Sequence, residues 1–215
     1  MNGFWAVFRK DLLIEWRARD LLPPMVVLAL LLLAVTGAAG AGARSAPAML
    51  WVTVAVAAAF GLLRSFQQET ERDQLHGLRL AGVDPAALYL AKAAANFVLV
   101  GTVEIIALAA VVVFFDVSIP PRPALPAVLV LGTASLVTSG TLLGALLAAA
   151  RAREALLPLL LLPLTTPAVA AAAGATARLL SPAGGSVVGE IRLLLAFTVL
   201  FLAIAVLLFE HIIEE

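Results

Sequence analysis

Six apolar runs, over about 21–41, 46–63, 86–115, 125–150, 155–177 and 191–209, alternate with short polar breaks along this chain. Each is close to the roughly 20 predominantly apolar residues that a helix needs to cross a bilayer. The breaks "GAAGAGARSAPA", "DVSIPPRPALP", "ARARE" and "LLSPAGGSVVGE" are rich in Gly, Pro and charge, the residues that end helices and favour turns. Asp84-Pro85 is a sharper signal, because Asp caps a helix whose first turn tolerates proline. The pattern predicts an all-α integral membrane protein with six transmembrane helices, and an even number of spans puts both termini on one side.

The opening stretch, "MNGFWAVFRKDLLIEWRARD", reads differently. Phe4, Trp5, Phe8, Leu12 and Trp16 recur at helical spacing and share one face, which Glu15 and Arg19 interrupt. The n-region of a secretory signal is short and basic, whereas Asp11, Glu15 and Asp20 stand here among aromatics, and the apolar run that follows is long for a signal. The expectation for residues 1–20 is an interfacial amphipathic helix on the cytoplasmic leaflet, with its tryptophans at headgroup depth.

Composition agrees with the pattern. Mean hydropathy is +1.08 and 13% of residues are charged, against about 25% in soluble domains. With 14 basic and 14 acidic residues there is no one-sided excess of the kind that binds nucleic acid. Placement of charge is more telling than its total. Arg9, Lys10, Arg17, Arg19, Arg64, Arg72, Arg79, Lys92, Arg151 and Arg153 fall on one side of the six-span topology, and Arg44, Arg122, Arg178 and Arg192 on the other. The positive-inside rule then puts both termini in the cytoplasm.

Some chemistry is excluded outright. There is no cysteine, hence no disulfide, thiolate metal site or covalent haem attachment through CxxCH. The two lysines, Lys10 and Lys92, lie in no GxxxxGK sequence, so the chain has no P-loop for ATP. His76 and His211 lie outside the apolar runs, which removes an imidazole metal or haem ligand from the bilayer. No metal site, bound cofactor or enzymatic activity is expected.

Three intramembrane features remain. Glu104 sits near the middle of the third run with no visible partner, and a carboxylate at mid-bilayer costs roughly 2.5 to 3.5 kcal/mol on insertion scales. A lone carboxylate lacks the second catalytic group that an intramembrane enzyme needs. Asn96, Thr102, Thr133, Ser135, Thr138, Ser139 and Thr141, with Gly132, Gly140 and Gly144, suit close helix packing. Pro158, Pro163 and Pro167 each remove a backbone donor, so the fifth span is expected to be kinked or broken. Trp51, near the outer end of the second span, reads as an interfacial anchor.

The longest polar stretch inside the chain is "RSFQQETERDQLHGLRLAGVDP", residues 64–85. It holds Glu69, Glu71, Arg72 and Asp73, then Leu75, Leu78 and Leu80, a Gly82 and Asp84-Pro85 turn, and Lys92 at the entry to the next span. Leu75 and Leu78 are helical neighbours, too few for a core but sufficient to dock in a partner's groove. This order resembles the first cytoplasmic loop of ABC-type export permeases, whose coupling helix contacts the nucleotide-binding subunit. Together with the chain length, "FGLLRSFQQETERDQLHGLRLAG" and "LLPLLLLPLTTPAVAAAAG", it is similar to the CcmB (haem exporter protein B) family, the ABC permease subunit of cytochrome c maturation System I.

The resemblance covers essentially the whole chain. It implies one ABC exporter permease-like domain over 1–215, with coupling through 64–85. It implies a separate ATP-binding subunit that carries the ATP, haem-handling membrane proteins, a periplasmic haem chaperone and a possible homodimer, all at the bacterial inner membrane. Haem is the implied cargo; a lipid, polysaccharide or drug is the alternative. The spans offer no His or Cys as a haem ligand, so the residues are compatible with moving haem or with transmitting ATP-driven motion to partners that load or release it.

Overall fold

The computed structural model describes residues 2–71, 84–147, 150 and 153–214. They form seven helices and, among the described residues, no strand: α1 Asn2–Ala18, α2 Leu22–Ala38, α3 Ala46–Glu71, α4 Pro85–Phe115, α5 Ala124–Leu146, α6 Arg153–Leu180 and α7 Val188–Glu214. The amphipathic stretch and each of the six apolar runs therefore have their helix. Five helices, α3 to α7, are long and apolar enough to cross a bilayer, and a sixth span counts if α1 and α2 are taken as one pair bent by 70°. With 17 residues at about 1.5 Å each, α2 is roughly 25 Å long, a little short of the hydrocarbon core.

Several boundaries move, for local reasons. α2 ends at Ala38, where Gly40 takes φ +84° and its N–H bonds to Gly37 O while Ala41 N–H reaches Thr36 O. That is the Schellman closure, which needs a left-handed residue just past the helix end. α3 does not stop at the apolar limit but continues to Glu71, so the first part of the polar stretch is helical. The Asp84-Pro85 cap forms as expected: Asp84 Oδ2 accepts from Ala87 N–H at 3.0 Å, with Pro85 as the first helical residue.

Of the two expectations for the fifth span, a kink or a break, the break does not occur: α6 stays helical through Pro158, Pro163 and Pro167. Their spacing leaves intact turns between them. There the Thr165 and Thr166 hydroxyls bond back to the carbonyls of Leu161 and Leu162 at 2.8 and 2.9 Å. Packing neighbours help make proline tolerable in a spanning helix, and α6 packs against α3, α5 and α7.

At the centre, α3 contacts α2, α4, α5 and α6, while α1 rests on α4. Trp51 corrects its own reading as an anchor. Its ring is fully buried, its Nε1 donates to Thr176 Oγ1 on α6 at 3.0 Å, and a Cβ at Gly132 on α5 would collide with it. Gly140 likewise leaves room for Leu62. These two glycines let α5 approach α3 closely, the use that small residues have in membrane bundles.

Candidate functional site

The charged residues near the start of the chain, the end of α3 and the beginning of α4 form one constellation. It begins with a sequence problem. α2 opens at Leu22-Pro23-Pro24 with no side-chain cap at Leu21, so the first-turn donors need an acceptor. Glu15 supplies it. Its carboxylate is buried, accepts the Leu21 N–H on both oxygens at 3.1 Å, and takes the Leu22 N–H on Oε1 at 2.7 Å. The two prolines that follow have no N–H to satisfy. The carboxylate thus staples the elbow between α1 and α2, and favours the positive end of the α2 dipole. Arg19, at φ +54°, provides the left-handed residue just past the end of α1.

Two further ties start from the same elbow. Arg64 Nη1 on α3 donates to the Asp20 carbonyl at 3.2 Å. On α4, Lys92 Nζ pairs with Asp11 Oδ2 of α1 at 3.3 Å, and Lys10 Nζ lies 3.3 Å from Asp11 Oδ1. Lys92 is only 3% exposed, so this is a nearly dry pair, joined across 81 residues of sequence. α4 has 31 residues, about 46 Å, against a core near 30 Å. With Phe115 at one boundary, Lys92 comes to the other and Glu104 to mid-depth.

The amphipathic face of α1 divides in two. Phe4 and Phe8 stack at 6.0 Å and pack with buried Val7 against the bundle, whereas Trp5 and Trp16 stand outward, 56% and 79% exposed. Glu15 belongs to the inward half, so its interruption of the apolar face is a joint and not a flaw.

α3 thus carries its tie to the elbow at Arg64 and ends at Glu71; α4 begins at Pro85 and carries its tie at Lys92. Between them lies the stretch expected to couple. Glu69 and Glu71 fall in the last turn of α3; Arg72, Asp73, Leu75, Leu78 and Leu80 lie outside the described residues. Of the other expected site residues, Pro158, Pro163 and Pro167 line up inside α6. Glu104 does have a partner: Thr133 Oγ1 on α5 donates to its Oε2 at 2.5 Å. Asn96 Nδ2 donates to Thr141 Oγ1 across the same helix pair at 3.1 Å, and Ser135 Oγ meets Thr198 Oγ1 of α7 at 3.0 Å. Thr102 differs, bonding back to the Val98 carbonyl on the exposed side of α4.

Sequence reading passed over Asp11 and treated Glu15 as a blemish. The signal for Glu15 was present: a helix that starts with two prolines and no cap residue takes its acceptor from elsewhere. For Asp11 no local signal exists, since its partner is set by tertiary packing. Among the described residues no cluster of His, Cys, Asp or Glu could hold a metal ion.

A bundle of this kind, with apolar helices long enough to cross a bilayer and a charged elbow at one end, defines a multi-pass helical membrane protein. The CcmB protein family model matches residues 2–214, and the chain belongs to that family. The family assigns it to transmembrane haem transport in cytochrome c biogenesis, within an ABC-type haem exporter complex. No curated protein matches the chain.

Proposed function

We propose that this chain is the permease subunit through which a separate ATP-binding subunit drives haem delivery, or release of the haem-loaded periplasmic chaperone, in cytochrome c maturation. The family membership carries the reading. The ATPase docks on 64–85, with Leu75 and Leu78 seated in its groove and Glu69, Glu71, Arg72 and Asp73 around them. The subunit spans the bacterial inner membrane six times with both termini cytoplasmic, α2 completing the count after the α1 elbow. It works as a non-enzymatic partner of haem-handling membrane proteins, and two copies form the working permease.

The elbow supports a mechanical role. Of the helices that flank 72–83, α3 is tied to the link between α1 and α2 by Arg64 to the Asp20 carbonyl, α4 is tied to α1 by Lys92 to Asp11, and α1 is stapled to α2 by Glu15. A displacement at the docking segment therefore reaches α2, α3 and α4 together through short polar joints. Transmission of motion fits the residues better than a ligated haem, since the spans contain no His or Cys.

The test replaces Leu75 and Leu78 by Glu in the full complex. The expected result is loss of ATPase co-purification with unchanged amount and thermal stability of the permease. A complex that survives intact would place the docking surface elsewhere.

A further inference from the structure

Glu104 lies on a polar seam between α4 and α5 that the transmission reading leaves unused. Asn96 pairs with Thr141 and Glu104 with Thr133. The rungs are eight residues apart on each antiparallel helix and share one register. Between them stand Val100 and Val137, both buried. Glu104 itself is 4% exposed, and its Oε1 is buried with no hydrogen-bond partner.

Among the described residues, nothing charged faces it from the helices packed against α4. Of the helices packed against α4, the stretches 22–38 of α2, 46–63 of α3, 124–146 of α5 and 193–208 of α7 contain no Asp, Glu, Lys, Arg or His. The charged residues of α1 gather around Lys92, which is twelve residues away on α4 itself, about 18 Å along the helix. An ionised carboxylate with one hydroxyl donor and one bare oxygen in a low-dielectric interior has no compensation for its charge. Neutralisation by a proton leaves the bare oxygen as an ordinary carbonyl. The contact with Thr133 survives the change, because a hydroxyl accepts as well as donates.

We propose that Glu104 is a proton-binding site: its carboxyl carries a proton while it lies against Thr133, and release of that proton accompanies parting of α4 from α5. On release the carboxyl O–H bond breaks and the proton passes to water admitted between the helices. A glutamine would form the same rung. The carboxyl adds the capacity to become an anion that keeps the seam open once it is wet. The inference rests on the fold alone and is independent of the cargo.

Two measurements on the full chain in lipid bilayers test it. Infrared spectroscopy should show a protonated-carboxyl stretch that disappears in Glu104→Gln and shifts in Thr133→Val. The absence of both changes would mean that Glu104 is ionised, and would overturn the proposal. Because the chain has no cysteine, a Val100→Cys/Val137→Cys pair can report on the seam by disulfide trapping. Trapping relative to the same pair carrying Glu104→Gln, which cancels the thiols' own pH dependence, should fall severalfold as pH rises. A flat ratio would show that the proton does not control the seam.

Discussion

The two ends of the bundle are closed with different materials. At the end where α2 meets α3, α4 meets α5 and α6 meets α7, closure lies in the loops: the Schellman turn at Gly40, left-handed Asp116, an exposed bond between two loops from Arg122 Nη2 to the Pro182 carbonyl at 3.4 Å, and an exposed Arg178–Glu190 ion pair. At the opposite end two of the joints are charged and largely buried, Glu15 at the start of α2 and Lys92 of α4 against Asp11 of α1, and an exposed bond from Arg64 of α3 to the Asp20 carbonyl adds a third tie. Buried charged joints are costly to break singly, whereas exposed ones contribute little. The first end holds loops in shape. The second holds separate helices together where α3 ends and α4 begins.

This contrast can be broken or sharpened by substitution. The largest effect should come from the core shared by both ends: Trp51→Ala removes the ring that fills the space at Gly132 and the bond to Thr176. It should cost about 3 to 5 kcal/mol, read as a collapse of the folded fraction in detergent. Asp11→Ala leaves Lys92 without its carboxylate in a nearly dry site, for a loss of about 2 to 3 kcal/mol, below the full buried-pair penalty because Asp11 is partly open to solvent. Combining Asp11→Lys with Lys92→Asp should recover most of that loss. If the exchange fails to rescue, the pair is not the joint described here.

Glu15→Ala strips the acceptor from the start of α2 and should cost about 1 to 2 kcal/mol. If the elbow transmits motion as proposed, this variant's loss of covalent c-type haem should be larger than that of an α3 variant of equal stability. The smallest effect belongs to the other end. Arg178→Ala removes a half-exposed pair and should stay within about 1 kcal/mol, with c-type haem close to wild type. A strong haem defect from Arg178→Ala would erase the distinction between the ends.

Much of the fold was legible because its signals are local. Six apolar runs and the Asp84-Pro85 cap are written in consecutive residues, and the helices follow them closely except α3, which continues eight residues past its run into the polar stretch. The site was legible only in part, for a physical reason. Glu104 and Thr133 are 29 residues apart, and Lys92 and Asp11 are 81 apart, so neither pair leaves a trace in spacing. Trp51 misled because a tryptophan near the end of a span has the same sequence signature whether it faces headgroups or a glycine notch on another helix. The prolines have a real propensity to break a helix, yet α6 is continuous through all three, packed against neighbours on several sides.

The central claim, an ATP-driven permease of cytochrome c maturation that works through 64–85 and the elbow, has one direct test. The gene is deleted in its own host, and membranes are stained for covalent c-type haem after complementation with the wild type, with the Leu75/Leu78 charge variant, or with Asp11→Ala. Loss of c-type haem in the deletion, restored by the wild type and by neither variant at equal protein level, is the predicted result. Normal c-type cytochromes in the deletion strain would contradict it.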